Sequence, residues 1–479
     1  MRHLTFKPTC SRDRLVSLST EVFDDVARSR PTFALLPHLE SMAFVVTHEQ
    51  DRHYLPHAAT IFHEGLRSLT VSVQGTPIDT HDVGLKILLR DISTRSMNLK
   101  VLHLHVGQSF ASGNAHSSGI GRLLEAIRGL EILHLCDEAT PELFTCLSNL
   151  PRLRTLNFGL SCLYKDGPSV ELPRTTVHPS PRRDTTAFAS LNRLSFHASS
   201  STRLLRVFET NLTIRHISEL FISIGPYTLV ELRGIFAKLQ NMLGDASKLH
   251  RLSIYLQPYG GVSSPRVHSE LLFSICKYAS ITSLRIKAQI PISMSDLDFE
   301  RFASALPNIE TLSITWAYTH PPERAATLET LIPLVRACPR LLELEMYIDA
   351  SDSGVPSLEA LPTTVTPFLK LESLCFSSSP IQESSIHKVA AFLSHMLLDE
   401  RVLRIDSINY GARDFELRIS RNGLWSQVKG MLAALMQVQN HHRDAMRKMQ
   451  IENLELMARV RELESSACGS RLHGVKTSD

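Results

Sequence analysis

Residues 306–316, LPNIETLSITW, carry a pattern of apolar and polar positions that recurs along the chain. Leu306, Ile309, Leu312 and Ile314 fall at spacings of three, three and two, with Pro307 near the start and Trp316 at the end. The first half reads as a turn entering a strand, and the second half alternates with the period of a strand. The apolar residue that opens each alternating run is the anchor of a unit. The anchors are Met42, Leu69, Leu102, Leu133, Leu156, Leu194, Leu220, Leu252, Leu284, Leu312, Leu344 and Leu374, with a weaker one at Leu403. Steps between the twelve main anchors run from 23 to 38 residues and average about 30. Nearly every unit has an apolar residue three before the anchor and another two after it, as in Leu99, Leu102, Leu104 and in Ile281, Leu284, Ile286.

Between these runs the apolar spacing changes to three and four, which predicts helices over 119–129, 202–212, 231–243 and 269–279. Asp82 and Ser295 stand where helix N-caps belong, the latter before DLDFERFASAL. Strand then helix at a near-constant step predicts a parallel sheet with helices on one side. Each unit must stack on its neighbours, because it cannot bury its apolar face alone. Three Pro- and Gly-bearing stretches, 163–189, 257–267 and 349–367, break the rhythm and read as loops at the rim. DFELRIS (414–420) reads as a terminal strand, and 424–467 as one long helix with Gly430 as its only Gly or Pro.

Composition narrows the class of protein. The chain has 479 residues, 43% of them hydrophobic, with a formal net charge of +3, which gives no reason to expect nucleic acid or a membrane surface as partner. The N-terminus lacks the apolar stretch of a secretory signal, and no run approaches the length of a membrane span. The eight cysteines, at 10, 136, 146, 162, 276, 338, 375 and 468, are scattered without a CxxC, so most are expected to be small core residues in a reducing compartment. A cytoplasmic or nuclear protein is the expectation. No phosphate-binding loop, GxSxG elbow, HExxH or paired-carboxylate motif is present, and neither an enzymatic activity nor a cofactor is expected.

The repeated LP-x-L-x-x-L pattern, in LPHLESM (36–42), LPRLRTLNF (150–158), LPNIETLSI (306–314) and CPRLLELEM (338–346), resembles the repeat region of F-box/leucine-rich-repeat proteins of the fungal type. The resemblance covers about residues 1–410. It implies an α/β leucine-rich repeat solenoid: a horseshoe with parallel strands on the concave face and helices on the convex face. The expected organisation is a solenoid of about 12–13 repeats over 1–423, a C-terminal helix over 424–467 and a disordered tail over 468–479. In that family a three-helix F-box precedes the repeats and docks on the Skp-type adaptor of a cullin ubiquitin ligase, while the repeats hold the substrate. Here the nearest approach to the F-box is LSTEVFDDV (18–26), with Ser19 in place of the usual proline, and only about 13 residues separate it from Leu39. RHLTF (2–6) is similar to the strand that follows an F-box in such proteins. The sequence thus reads as beginning just after the adaptor-docking module, and adaptor binding is not expected. What the resemblance implies is a protein-interaction module, the substrate-recognition region of an F-box-like ubiquitin-ligase receptor. Its rivals are a repeat scaffold without a ligase role and, remotely, a GTPase-activating protein.

In such strands the residues between inward apolar ones face the concave surface. Those one after the anchor run Ala43, Thr70, His103, His134, Asn157, Ser195, Phe221, Ser253, Arg285, Ser313, Glu345, Cys375; those two further on include His105, Cys136, His197, Tyr255, Lys287, Thr315, Tyr347 and Ser377. Tyr255, Arg285, Lys287, Glu345 and Tyr347 are the candidate binding residues. They fall within three strand spacings of about 4.8 Å, and Arg and Tyr are the types that most often dominate interface energies. Their opposing charges suit a partner with acidic and basic groups of its own. His103, His105, His134 and Cys136 form a two-by-two block with the donor types of zinc, but no carboxylate nearby orients the imidazoles, and solvated histidines on a strand face are the expectation. The 424–467 helix fits a heptad through Trp425, Val428, Leu432, Leu435, Gln439, His442, Met446, Met449, Asn453, Leu456, Val460, Leu463 and Ala467. The first part is expected to pack on the last repeat. From Met446 onward a coiled coil is expected, giving self-association.

Overall fold

The Leu-Pro-x-Leu motif folds as a turn whose geometry explains its residues. The amide of Ile309 donates to the carbonyl of Leu306 (3.1 Å), and the same bond joins Leu39 to Leu36 (3.0 Å) and Leu341 to Cys338 (3.2 Å). Pro37, Pro307 and Pro339 take the second position of these turns, where a fixed φ near −65° is favourable and no amide is required. The turn delivers the chain into a strand with the anchor leucine facing inward.

The computed structural model describes the chain except residues 1, 7–24, 26–27, 29–35, 47–51, 53, 59–60, 74–82, 107–113, 136–140, 160–187, 199–200, 210–213, 215, 226, 245–247, 258–266, 317–324, 358–366, 377–378, 405–414 and 473–479. Asp82, Cys136, Ser377, most of 18–26 and most of the stretches 163–189 and 257–267 therefore lie outside the described residues. Sixteen strands are described: β1 (His3–Phe6), β2 (Ser41–Val46), β3 (Ser68–Val73), β4 (Val101–Val106), β5 (Ile132–Leu135), β6 (Thr155–Phe158), β7 (Arg193–Ala198), β8 (Glu219–Ile224), β9 (Arg251–Leu256), β10 (Val267–His268), β11 (Ser283–Ala288), β12 (Ile292–Ser293), β13 (Thr311–Trp316), β14 (Glu343–Met346), β15 (Ser373–Cys375) and β16 (Leu403–Arg404). All but β10 and β12 form one open parallel sheet of 14 strands, each beside the next in chain order; β10 and β12 pair with each other.

The register is the same at every step. Anchor pairs with anchor, from Leu4↔Met42 through Leu252↔Leu284 to Leu374↔Leu403. One carbonyl per unit, two residues before the anchor, accepts from two amides of the following unit: His250 O takes Thr282 N and Ser283 N, both at 2.9 Å, and the arrangement repeats from Arg2 to Leu342. The anchors and the residues two beyond them are buried, together with the apolar faces of the helices, in one continuous core. On the opposite face burial alternates along β2, β3, β6 and β9, whereas Ser195, Ser223, Ser313 and Thr315 on β7, β8 and β13 are buried there.

The described helices follow the predicted ones with shifted ends. They cover Asn114–Ala126, Ser201–Phe208, Leu229–Leu243 and, more briefly than expected, Ser269–Phe273. Ser295 caps Asp296–Ala305 as its position suggests: the Asp298 amide donates to its Oγ (3.3 Å), while Asp298 Oδ2 accepts from the Ser295 amide (2.9 Å). Asp296 in that helix ties one unit to the next, accepting from the Thr327 amide (2.7 Å), from its hydroxyl (2.8 Å) and from the Thr330 hydroxyl.

The C-terminus departs from the prediction. Phe415–Leu472 is one helix, so the expected strand over 414–420 is helical from Phe415 onward, and the first residues of the expected tail are helical too. The alternating run FELRIS is too short to separate the two periods, and continuity with the amphipathic segment behind it favours the helix. The first half packs on the body, against Ile386–Met396. Trp425 is 3% exposed; its ring lies 5.0 Å from that of Phe376, and its Nε1–H donates to Ser379 O (3.2 Å). Among the described cysteines, Cys338 is a core residue as expected; Cys375 is buried but on the opposite side of its strand, and Cys146 and Cys276 are half-buried.

Leu284→Ala is expected to cost about 2–5 kcal/mol and Trp425→Ala about 3–5 kcal/mol. In urea titrations both losses should appear in the same main transition. A Trp425→Ala loss confined to a separate minor transition would show that the helix is not part of the common core.

Candidate functional site

Three columns of side chains line the open face, because a period of two puts the residues one before, one after and three after each anchor on the same side. The column after the anchor is continuous in register across all 14 strands, from Thr5↔Ala43 to Cys375↔Arg404. The column before the anchor was not singled out from the sequence and supplies four charged residues: Arg193, Glu219 and Arg251 sit on adjacent strands β7, β8 and β9, with Glu343 further along on β14. A charged residue directly before the anchor leucine was the available signal.

These columns form a groove of about 580 Å³ whose lining includes Asn157, Arg193, Glu219, Phe221, Arg251, Arg285, Glu310 and Glu343. That volume lies within the range of small-ligand sites. Glu219 holds Arg193 at 2.6 Å and approaches Arg251 at 3.9 Å; Arg285 reaches across β13 to Glu343 at 3.3 Å. Three guanidiniums and three carboxylates thus share the groove. Phe221 is half-buried near its middle, with ring centroids of His197 at 4.7 Å and Tyr255 at 5.1 Å. An aromatic strip crosses a polar surface, a combination suited to docking an apolar side chain between charge pairs.

The structure brings together four of the five predicted residues. Tyr255 and Lys287 are paired in register on β9 and β11, Arg285 pairs with Ser253, and Glu345 follows on β14 through Ser313. Glu345 accepts from the Ser313 hydroxyl at 2.5 Å. Tyr347 does not join them. Strand β14 ends at Met346, and Tyr347 is 2% exposed; its ring centroid lies 4.4 Å from that of Trp316. It is a core residue, and its removal would lower stability before it touched any binding on the face. Phe221, which the column after the anchor already contained without marking it as a candidate, is the aromatic near the middle of the groove.

At the β5 end of this groove, whose lining includes His134, His103 and His134 stack with centroids 4.2 Å apart and planes 6° from parallel, and His105 lies edge-on to His103 at 6.4 Å. Burial, then the neighbouring His134 and His105, lowers the His103 pKa to about 4. Burial first also lowers those of His105 and His134. Among the described residues no group of three or more His, Cys, Asp or Glu is arranged to hold a metal ion. Nor is any described helix long and apolar enough to cross a membrane.

Comparison with protein-family models and with curated proteins finds no match to this chain.

The histidine stack has a consequence for stability. Its imidazoles bind protons less readily in the fold than in the unfolded chain, whose histidines titrate near 6.5. The contribution is complete above about pH 6.5 and is lost as the pH falls toward 4. The melting temperature should therefore drop over this window, and His103→Gln with His134→Gln should flatten the drop. An unchanged pH profile in the double variant would place the acid sensitivity elsewhere.

Proposed function

We propose that the open sheet is the concave face of a leucine-rich repeat horseshoe and that the chain is a protein-recognition module, the substrate-holding repeat region of an F-box-like ubiquitin-ligase receptor. The observation that carries the recognition reading is the groove over β5–β14, with Phe221 near its middle and Arg193, Arg251 and Arg285 around it. The core is complete without these side chains, since the apolar burial lies on the other face. Exposed ion pairs contribute only about 0–1 kcal/mol to stability, so stability gives little reason for such a concentration of charge. A half-buried aromatic ring among exposed arginines in one groove brings together the residue types of a binding hot spot. The ligase connection rests on the Leu-Pro-x-Leu turns and the 30-residue step, which resemble those of the fungal receptors. The scaffold reading, without a ligase, draws support from the long exposed half of the C-terminal helix.

A photo-crosslinking residue placed at Ser253, on the open face, should capture a discrete protein in cells, whereas one at Val230, on the exposed side of a helix, should not. Phe221→Ala or Arg251→Ala should weaken capture at Ser253 by about 2 kcal/mol or more, with little change in melting temperature. The ligase reading requires that the captured protein accumulate when the Skp-type adaptor is depleted; unchanged levels would leave the scaffold. Capture only from Val230 would move the interface off the sheet.

A further inference from the structure

The C-terminal helix uses one apolar stripe twice. Its first half lies against the body: Val428 and Leu432 are fully buried, and Gln439 Nε2 donates to Ser394 Oγ at 3.0 Å. Beyond Gln439 the same heptad continues with no partner among the described residues. Every residue from 440 to 464 is exposed, a span of about 37 Å at 1.5 Å per residue. In this half Met446, Met449, Leu456, Val460 and Leu463 are 43–68% exposed. With Asn453 they alternate at spacings of three and four, which places Met446, Asn453 and Val460 at the a positions and Met449, Leu456 and Leu463 at d. Ile451 and Leu454 stand off this seam.

We propose that the exposed half pairs with the same segment of a second copy of this chain, as a parallel, in-register, two-stranded coiled coil. Three features select that occupant. A lone Asn at an a position is satisfied when it faces its own counterpart, which a parallel in-register pair provides; in an antiparallel pair it would face an apolar d residue and lose its hydrogen bonds. A β-branched Val at a with Leu at d favours two strands over three or four. The flanking charges agree: Arg459 at g falls opposite Glu464 at e of the other copy, twice by symmetry, and the remaining g–e contacts, Glu452 with Met457 and Ala445 with Gln450, carry no like charges. The pairing leaves the open sheet face of both copies free and does not depend on the function proposed for it.

The purified full chain should sediment at twice its 53.6 kDa mass at tens of micromolar. Leu456→Asp, at a position 59% exposed and away from the body, should return it to the single-chain mass with an unchanged melting temperature. Asn453→Leu should tighten association while admitting other orientations or strand numbers. Orientation is read from Val460→Cys in a Cys468→Ser background. Mild oxidation should yield a disulfide-linked dimer, because a faces a only in the parallel pair, and adding Leu456→Asp should abolish it. A monomer at high micromolar concentration overturns the proposal and leaves the helix to a different partner. So does a trimer or tetramer, a dimer that survives Leu456→Asp, or a dimer that fails to cross-link through position 460.

Discussion

Everything in this molecule depends on the lateral stacking of one leucine on the next. Each strand is only two to six residues long and has no stability alone. What holds it is a neighbour in the same register, with one carbonyl per unit accepting from two amides of the next. A slip of one residue would turn every anchor toward water and every polar face residue into the core. That is why insertions such as the one between β6 and β7 fall outside the strand and turn: the ladder continues from Leu156 to Leu194 unaltered.

Because the apolar core lies on one side, the other face is free to vary. The column after the anchor changes from histidine to asparagine, phenylalanine and arginine with no change in backbone pairing. Interaction chemistry therefore accumulates there by position rather than by local structure. The histidine stack lies on β4 and β5, the aromatic strip on β7–β9, and the arginine–glutamate groove spans the middle strands. Their spacing is set by the strands, so each strand offers a rigid support for a side chain that contributes little to the fold.

The C-terminal helix is governed by the same rule in another geometry. An apolar stripe must be covered. Where the contact with the body ends, the stripe becomes exposed. Trp425 and Val428 belong to the core as fully as any anchor leucine, whereas Val460 and Leu463, at equivalent positions of the same heptad, do not.

The sequence by itself determined the unit, the order and the sides: the thirteen anchors, the turns with their prolines, the Ser295 cap and the column of residues that follows each anchor are all local, and periodicity reports local geometry directly. The tertiary structure alone decided which side chains meet. Arg193, Glu219 and Arg251 are 26 and 32 residues apart in sequence yet share a groove, because register brings each to the same height on the sheet. Tyr347 kept the spacing of a face residue but lies past the end of its strand, where the Trp316 ring draws it into the core. FELRIS alternates like a strand and is helical, since six residues satisfy either period and the longer amphipathic segment behind them settles the choice. Pattern states which way a residue points within its own element; whether anything stands opposite depends on neighbours that only the folded chain supplies.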